Sequence, residues 1–253
     1  MGRKKPVLRY ILAALLVIAL TVLSGCSAQQ KVSDVGPKAA DTAAPKAADN
    51  AAYSRPAEVK TAVEAKQLLI DGNNRFVAGN LATKDLSETK REDLKKNGQK
   101  PFAVIVSCSD SRVPPELLFD QGIGDLFIIR VAGNVVDPVA MGSIEYAVEH
   151  LGSPLIVVMG HEKCGAVKAT VDGGEAPGSI GSIVAKIKPA VDKAKAAGAA
   201  ADQLAEKSAD ENVKLVMAEV EKSPVIKHLM ESGKVSVVGA KYHIGGGQVE
   251  WFE

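Results

Sequence analysis

Four short apolar runs punctuate the chain. They cover residues 102–106 (Phe-Ala-Val-Ile-Val), 126–129 (Leu-Phe-Ile-Ile), 155–159 (Leu-Ile-Val-Val-Met) and 235–238 (Val-Ser-Val-Val). Runs this short, β-branched and almost without polar positions read as strands buried on both faces. Between them the pattern turns helical. Residues 58–78 place Val59, Val63, Leu69, Ile70 and Phe76 among polar positions. Residues 87–96 form a polar helix in which Glu92 stands four before Lys96, a supporting pair. Residues 138–151 and 180 to about 220 complete the helical stretches. Strands alternating with helices predict an α/β fold, a mainly parallel central β-sheet flanked by helices, with an amino-terminal helical arm.

The first residues follow another pattern. Arg3, Lys4, Lys5 and Arg9 accompany an apolar run over 11–23 that only Thr21 interrupts. A basic start followed by a run too short for a comfortable membrane span predicts a secretory leader. Leu23-Ser24-Gly25-Cys26 follows directly. It resembles a lipobox, where bacterial lipoproteins are cleaved and the new amino-terminal cysteine is lipidated. An uncleaved signal anchor is the alternative, and the position of Cys26 at the end of the run favours lipidation. Residues 27–57 are rich in Ala, Lys, Asp and Pro, with the near-repeat Pro37-Lys38-Ala39-Ala40-Asp41 and Pro45-Lys46-Ala47-Ala48-Asp49. Such a composition cannot bury enough apolar surface to offset its ordering entropy. The expected organisation is a leader over 1–26, a disordered tether over 27–57 and one folded domain over 58–253. The expected location is the cell envelope, in the periplasm or on the outer face, with a membrane anchor at Cys26.

Composition excludes more than it suggests. Hydrophobic residues at 46% and charged residues at 24% are an ordinary globular balance. A net charge of +1 and 4% aromatics give no basis for a nucleic-acid partner. Three cysteines, Cys26, Cys108 and Cys164, are too few for a disulfide scaffold.

Three segments carry candidate chemistry: Ser107-Cys108-Ser109-Asp110-Ser111-Arg112, Arg130-Val131-Ala132-Gly133-Asn134 and Gly160-His161-Glu162-Lys163-Cys164-Gly165. The first and third stand just after predicted strands, and sites in open parallel sheets form at the carboxyl ends of strands. Cys108, His161 and Cys164 are therefore expected to meet. Two thiolates and an imidazole suit zinc and leave a fourth position open for catalysis. His161-x-x-Cys164 is spaced as one helical turn, with Cys164 near a helix amino terminus that favours its thiolate. Arg112 has the fork geometry to grip Asp110 bidentately, and a carboxylate beside the metal can orient a hydroxide.

Cys108-Ser109-Asp110-Ser111-Arg112-Val113, Arg130-Val131-Ala132-Gly133-Asn134 and Gly160-His161-x-x-Cys164-Gly165-Ala166 together resemble the β-class carbonic anhydrases. The resemblance spans about 58–253. It extends to Asn73-Asn74-Arg75-Phe76, with Gly72 one residue out of step with the family's arm motif, and to Val237-Val238-Gly239-Ala240-x-Tyr242. The resemblance implies one zinc per subunit, held by Cys108, His161 and Cys164. It implies Asp110 and Arg112 as the catalytic dyad, with Asp110 able to become a fourth metal ligand in a closed site. The reaction implied is reversible hydration of carbon dioxide to bicarbonate, by hydroxide that the dyad orients.

One type of the family places a tryptophan, tied to a bicarbonate pocket, three residues before the first zinc cysteine. Ile105 stands there, and the single tryptophan is Trp251. Gln99, Phe127 and Tyr146 match the substrate-lining residues of the other, open type, in which the neighbouring subunit supplies them. A homodimer, or a tetramer of paired dimers, is implied. Arg130 is expected to be structural. The motifs leave two alternatives open: the same chemistry on carbonyl sulfide or carbon disulfide, and a non-catalytic zinc-binding or redox-sensing envelope protein.

Overall fold

The computed structural model describes residues 51–252. The leader over 1–26, Cys26 with it, and all but the last residues of the expected tether lie outside the described residues. In chain order the elements are α1 (Ala62–Val77), α2 (Glu88–Asn97), β1 (Ala103–Ser107), α3 (Pro115–Leu118), β2 (Leu126–Arg130), a 3-10 turn (Ala132–Asn134), α4 (Pro138–Glu149), β3 (Leu155–His161), α5 (Gly165–Asp172), α6 (Ile180–Ala196), α7 (Leu204–Val220), α8 (Pro224–Glu231), β4 (Ser236–Tyr242) and β5 (Val249–Trp251).

The strands form one sheet in the order β2-β1-β3-β4-β5, parallel throughout except for the antiparallel β5. All four apolar runs are strands, and the two most apolar, β1 and β3, lie inside the sheet, buried at every position. Alternate residues serve opposite layers. Val104, Val106, Ile156 and Val158 pack with Ile144 of α4, Val213 and Val216 of α7 and Ile226 of α8. Ile105, Val157 and Met159 face the other way, onto Leu69 of α1, Leu118 of α3 and Phe119. Edge strand β2 leaves Phe127 and Ile128 half-buried.

The arm docks by specific contacts. Thr61 and Glu64 close a capping box, which starts α1 later than residue 58. A Cβ on Gly72 would stand 1.8 Å from the Phe119 carbonyl oxygen, so α1 lies against that loop only with glycine there. Asn73 donates to the carbonyls of Leu118 and Gly247 and accepts from the Val249 N–H. Arg75 and Lys84 both pair with the buried Asp120.

Two expectations need correction here, and one strand comes in addition. The tether was expected to run to 57, yet Tyr53 and Thr83 join by backbone hydrogen bonding, the Tyr53 hydroxyl donates to Gln121 at 2.5 Å, and Arg55 pairs with Asp125 at 2.5 Å. One aromatic and one arginine anchor a segment whose average composition conceals them. The helical stretch from 180 to 220 is two helices, broken where Gly198 takes a φ of +78°. Strand β5 was not anticipated: three residues with Glu250 at the centre carry almost no strand signal.

Candidate metal centre

Strand β1 ends at Ser107 and delivers Cys108 just beyond the sheet edge. Its neighbour β3 ends on His161, and Cys164 caps the amino terminus of α5. Because β1 and β3 are parallel and adjacent, their carboxyl ends coincide. The two sulfurs and a His161 ring nitrogen all lie within 4.8 Å of one another, and all three residues are buried. His161-x-x-Cys164 is not a helical turn, as its spacing suggests. It is a strand end followed by a tight turn in which Lys163 takes a φ of +54°.

The donor set fits a zinc ion. His161 Nδ1 lies 2.8 Å from the Glu162 carbonyl oxygen. A carbonyl only accepts, so Nδ1 carries the proton and Nε2 presents a bare lone pair. That Nε2 is buried with no hydrogen-bond partner, which is costly unless a cation completes it. Two thiolates and this nitrogen satisfy zinc's preferences with one position to spare.

The sulfur charges follow from the same geometry. A hydrogen bond from Cys164 holds the Cys108 thiol far below its ordinary range, against the opposing effect of burial, and the Gly133 N–H donates to Cys108 Sγ at 3.2 Å. Cys164 is pushed up by its bond to Cys108 and by burial, while amides of Ala166 and Val167 at the start of α5 pull the other way.

Asp110 and Arg112 form the expected pair. Arg112 donates through Nε to Oδ1 at 3.0 Å and through a terminal nitrogen to Oδ2 at 2.8 Å, and its backbone N–H reaches Oδ1 at 2.9 Å. These bonds from Arg112, more than any other influence, hold the Asp110 carboxyl well below the usual carboxylate range. Oδ2 lies 3.9 Å from His161 Nε2, so one carboxylate oxygen faces the ligand cluster. A second arginine–aspartate pair, Arg75–Asp120, belongs to the arm instead.

The Arg130-Val131-Ala132-Gly133-Asn134 segment supports the centre from behind. Arg130 donates to the carbonyls of Cys108 at 3.1 Å and Asp110 at 2.6 Å, tying the end of β2 to the Cys108 loop. Gly133 sits at a φ of +70° with no room for a side chain: a Cβ would stand 2.6 Å from Ile187 Cδ1. Its carbonyl accepts from Asn212 at 2.8 Å. Asn212 was not singled out in the sequence. Its signal is a polar residue on the apolar stripe of α7, between Ala209, Val213 and Val216.

Gln99, Phe127 and Tyr146 lie apart from the cluster within one chain. Phe127 pairs with Val104, four residues short of Cys108 and so about 13 Å from it along the strand. Gln99 is exposed in the loop before β1. Tyr146 is 48% exposed, with its ring 6.3 Å from that of Phe127. Ile105 is fully buried in the core.

Residues 103–249 match the family model for carbonic anhydrase. A carbonic anhydrase of Mycolicibacterium smegmatis is 42% identical over 193 residues, covering 74% of this chain and 92% of that protein. Carbonic anhydrase 2 of Mycobacterium tuberculosis is 40% identical over 191 residues, covering 74% and 90%. Among solved structures, Coccomyxa β-carbonic anhydrase in complex with acetazolamide aligns with a TM-score of 0.57 at 31% identity, over 65% of this chain and 78% of that one. The β-carbonic anhydrase CcaA aligns with a TM-score of 0.60 at 26% identity, over 74% and 95%.

Proposed function

The chain belongs to the β-class of the carbonic anhydrase family and is a zinc enzyme of reversible carbon dioxide hydration, and we propose a division of that work among its residues. Cys108, His161 and Cys164 hold the zinc, one per subunit. The observation that carries this is the compact buried cluster with an unpartnered His161 Nε2. Zinc bound there supplies Lewis acidity, which lowers the pKa of a coordinated water toward 7. Asp110, fixed by the Arg112 fork and ionised at any pH near neutrality, accepts a hydrogen bond from the attacking oxygen at Oδ2 and aims its lone pair at carbon dioxide. Paired in this way with Arg112, Asp110 would stay off a zinc held by Cys108, His161 and Cys164, the open form of the site. Bicarbonate then inhibits without cooperativity.

Gln99, Phe127 and Tyr146 complete the carbon dioxide pocket from a neighbouring subunit in a homodimer. What supports this is their distance from the cluster in their own chain and the exposure of Tyr146 on the outside of α4. Gln99 donates to the substrate oxygen that gains negative charge. We also propose export, with lipidation at Cys26 and a tether to the membrane, on the strength of the basic patch, the apolar run over 11–23 and the cysteine that follows. No helix among the described residues is long and apolar enough to cross a membrane. Mass spectrometry of the native protein tests the anchor: a diacylated or triacylated Cys26 start is expected, and an unmodified Met1 start contradicts it.

Turnover of carbon dioxide, carbonyl sulfide and carbon disulfide by one zinc-loaded preparation tests the substrate. Carbon dioxide is expected to be by far the fastest. Turnover of carbon disulfide without carbon dioxide hydration would overturn the reading.

A further inference from the structure

The turn between two of the metal ligands is held from outside the motifs. Lys163 lies between His161 and Cys164 in a left-handed conformation that a lysine rarely adopts, and something must keep it there. Its N–H donates to Glu206 Oε1 at 2.9 Å, from the first turn of α7. Its carbonyl accepts from Arg112 at 3.4 Å. The Lys163 residue thus joins the Cys164 turn to the Asp110–Arg112 pair. Glu206 is fixed in turn: Lys241 Nζ lies 3.0 Å from its Oε2 and 2.7 Å from Asp210 Oδ1. Lys241 sits on β4 opposite Gly160 of β3 and is almost fully buried. Burial alone would raise the Glu206 carboxyl, but the Lys163 N–H and Lys241 outweigh it and keep the group ionised.

We propose that Glu206 is a positioning residue for the metal centre: its carboxylate, braced by Lys241, holds the Lys163 N–H and thereby keeps the His161–Cys164 turn closed around zinc. The inference rests on the zinc reading of Cys108, His161 and Cys164. Groups that orient metal ligands from behind typically contribute 10–100-fold to affinity or activity. What matters here is the reach of the acceptor oxygen to Lys163. The negative charge matters less, because Asp210 also serves Lys241.

Two conservative variants separate reach from charge. Glu206→Gln keeps an acceptor oxygen at the same distance and loses the charge. Glu206→Asp keeps the charge and is one methylene short of Lys163. The experiment follows zinc release from the full-length, zinc-loaded protein into excess chelator, with amide hydrogen exchange at Lys163 measured in parallel. Asp210→Ala serves as a control that weakens the Lys241 cluster without touching the turn. Glu206→Asp is expected to release zinc about ten-fold faster and to lose protection at Lys163. Glu206→Gln and Asp210→Ala should stay within about two-fold of the parent on both readouts. Equal release rates in Glu206→Asp and the parent would overturn the proposal, as would faster release in Glu206→Gln or Asp210→Ala than in Glu206→Asp. A parent that binds no stoichiometric zinc would instead remove the metal-site reading, and this proposal with it.

Discussion

The two ends of the sheet are built to different standards of completeness. At the carboxyl end, Cys108, His161 and Cys164 are buried together, and each has backbone support: the Gly133 N–H for Cys108, the Glu162 carbonyl for His161, the first amides of α5 for Cys164. Nearer the amino end, Phe127 and Tyr146 form a half-open aromatic pair, and Gln99 lies exposed in a loop. What is complete at that end is the Arg55–Asp125 pair, formed just ahead of β2. One chain therefore brings the three metal ligands together, while the proposed substrate pocket would be completed by a second chain. Metal binding and turnover should separate by mutation.

The largest effects lie at the carboxyl end. His161→Ala or Cys164→Ser should abolish stoichiometric zinc and drop hydration to the uncatalysed rate, as metal analysis and stopped-flow assay would reveal. Full zinc in both variants would break the account of the site. Asp110→Asn comes next. It should retain zinc and lose about 10²-fold in hydration rate, because an amide nitrogen offered to the attacking oxygen misorients it. Its zinc content is the control, and a parental rate would remove the dyad from the reaction.

A smaller effect sharpens the contrast between the two ends. Tyr146→Ala should leave zinc at one per chain while lowering turnover about ten-fold and weakening self-association, measured by sedimentation. Unchanged turnover in a variant that had become monomeric would mean that the pocket does not depend on a second chain. The smallest effect on chemistry belongs to the arm. Asp120→Ala breaks a buried ion cluster and should cost about 3 kcal/mol of stability with little change in zinc content.

The pH dependence of that contribution has a definite sign. Burial pushes the Asp120 carboxyl up, but Lys84, Arg75 and the Ala82 N–H prevail, so its pKa is depressed. A depressed carboxyl stabilises the fold above the ordinary carboxylate range and loses that contribution as pH falls through its folded value. The stability gap between parent and Asp120→Ala should therefore be full at pH 6 and shrink below about pH 4. A gap that widened in acid would contradict this assignment.

What the sequence revealed divides along chemical lines. The four strands were legible because their apolar runs admit almost no polar residue, and the metal ligands because Cys108 and the His161–Cys164 pair fall where strands end. The turn around Lys163 was misread, since a three-residue spacing suits a helix as well as a strand end with a left-handed residue. Gly133 lay in plain view within its motif, but its N–H bond to Cys108 depends on a φ that no residue name states. Asn212 and Glu206 stayed hidden because both act on backbone groups distant in sequence. Tyr53 and Arg55 were lost in the average composition of their neighbours.

The proposed reaction is carbon dioxide hydration driven by zinc on Cys108, His161 and Cys164. It is tested most directly by stopped-flow hydration on the full-length protein before chelation, after zinc removal and after zinc is returned, with Cys164→Ser alongside. The parent is expected to lose its activity with its zinc and to regain it when zinc is restored, whereas Cys164→Ser is expected to be inactive throughout. Hydration that persists in the zinc-free parent, or that added zinc restores to Cys164→Ser at the parental rate, would contradict it.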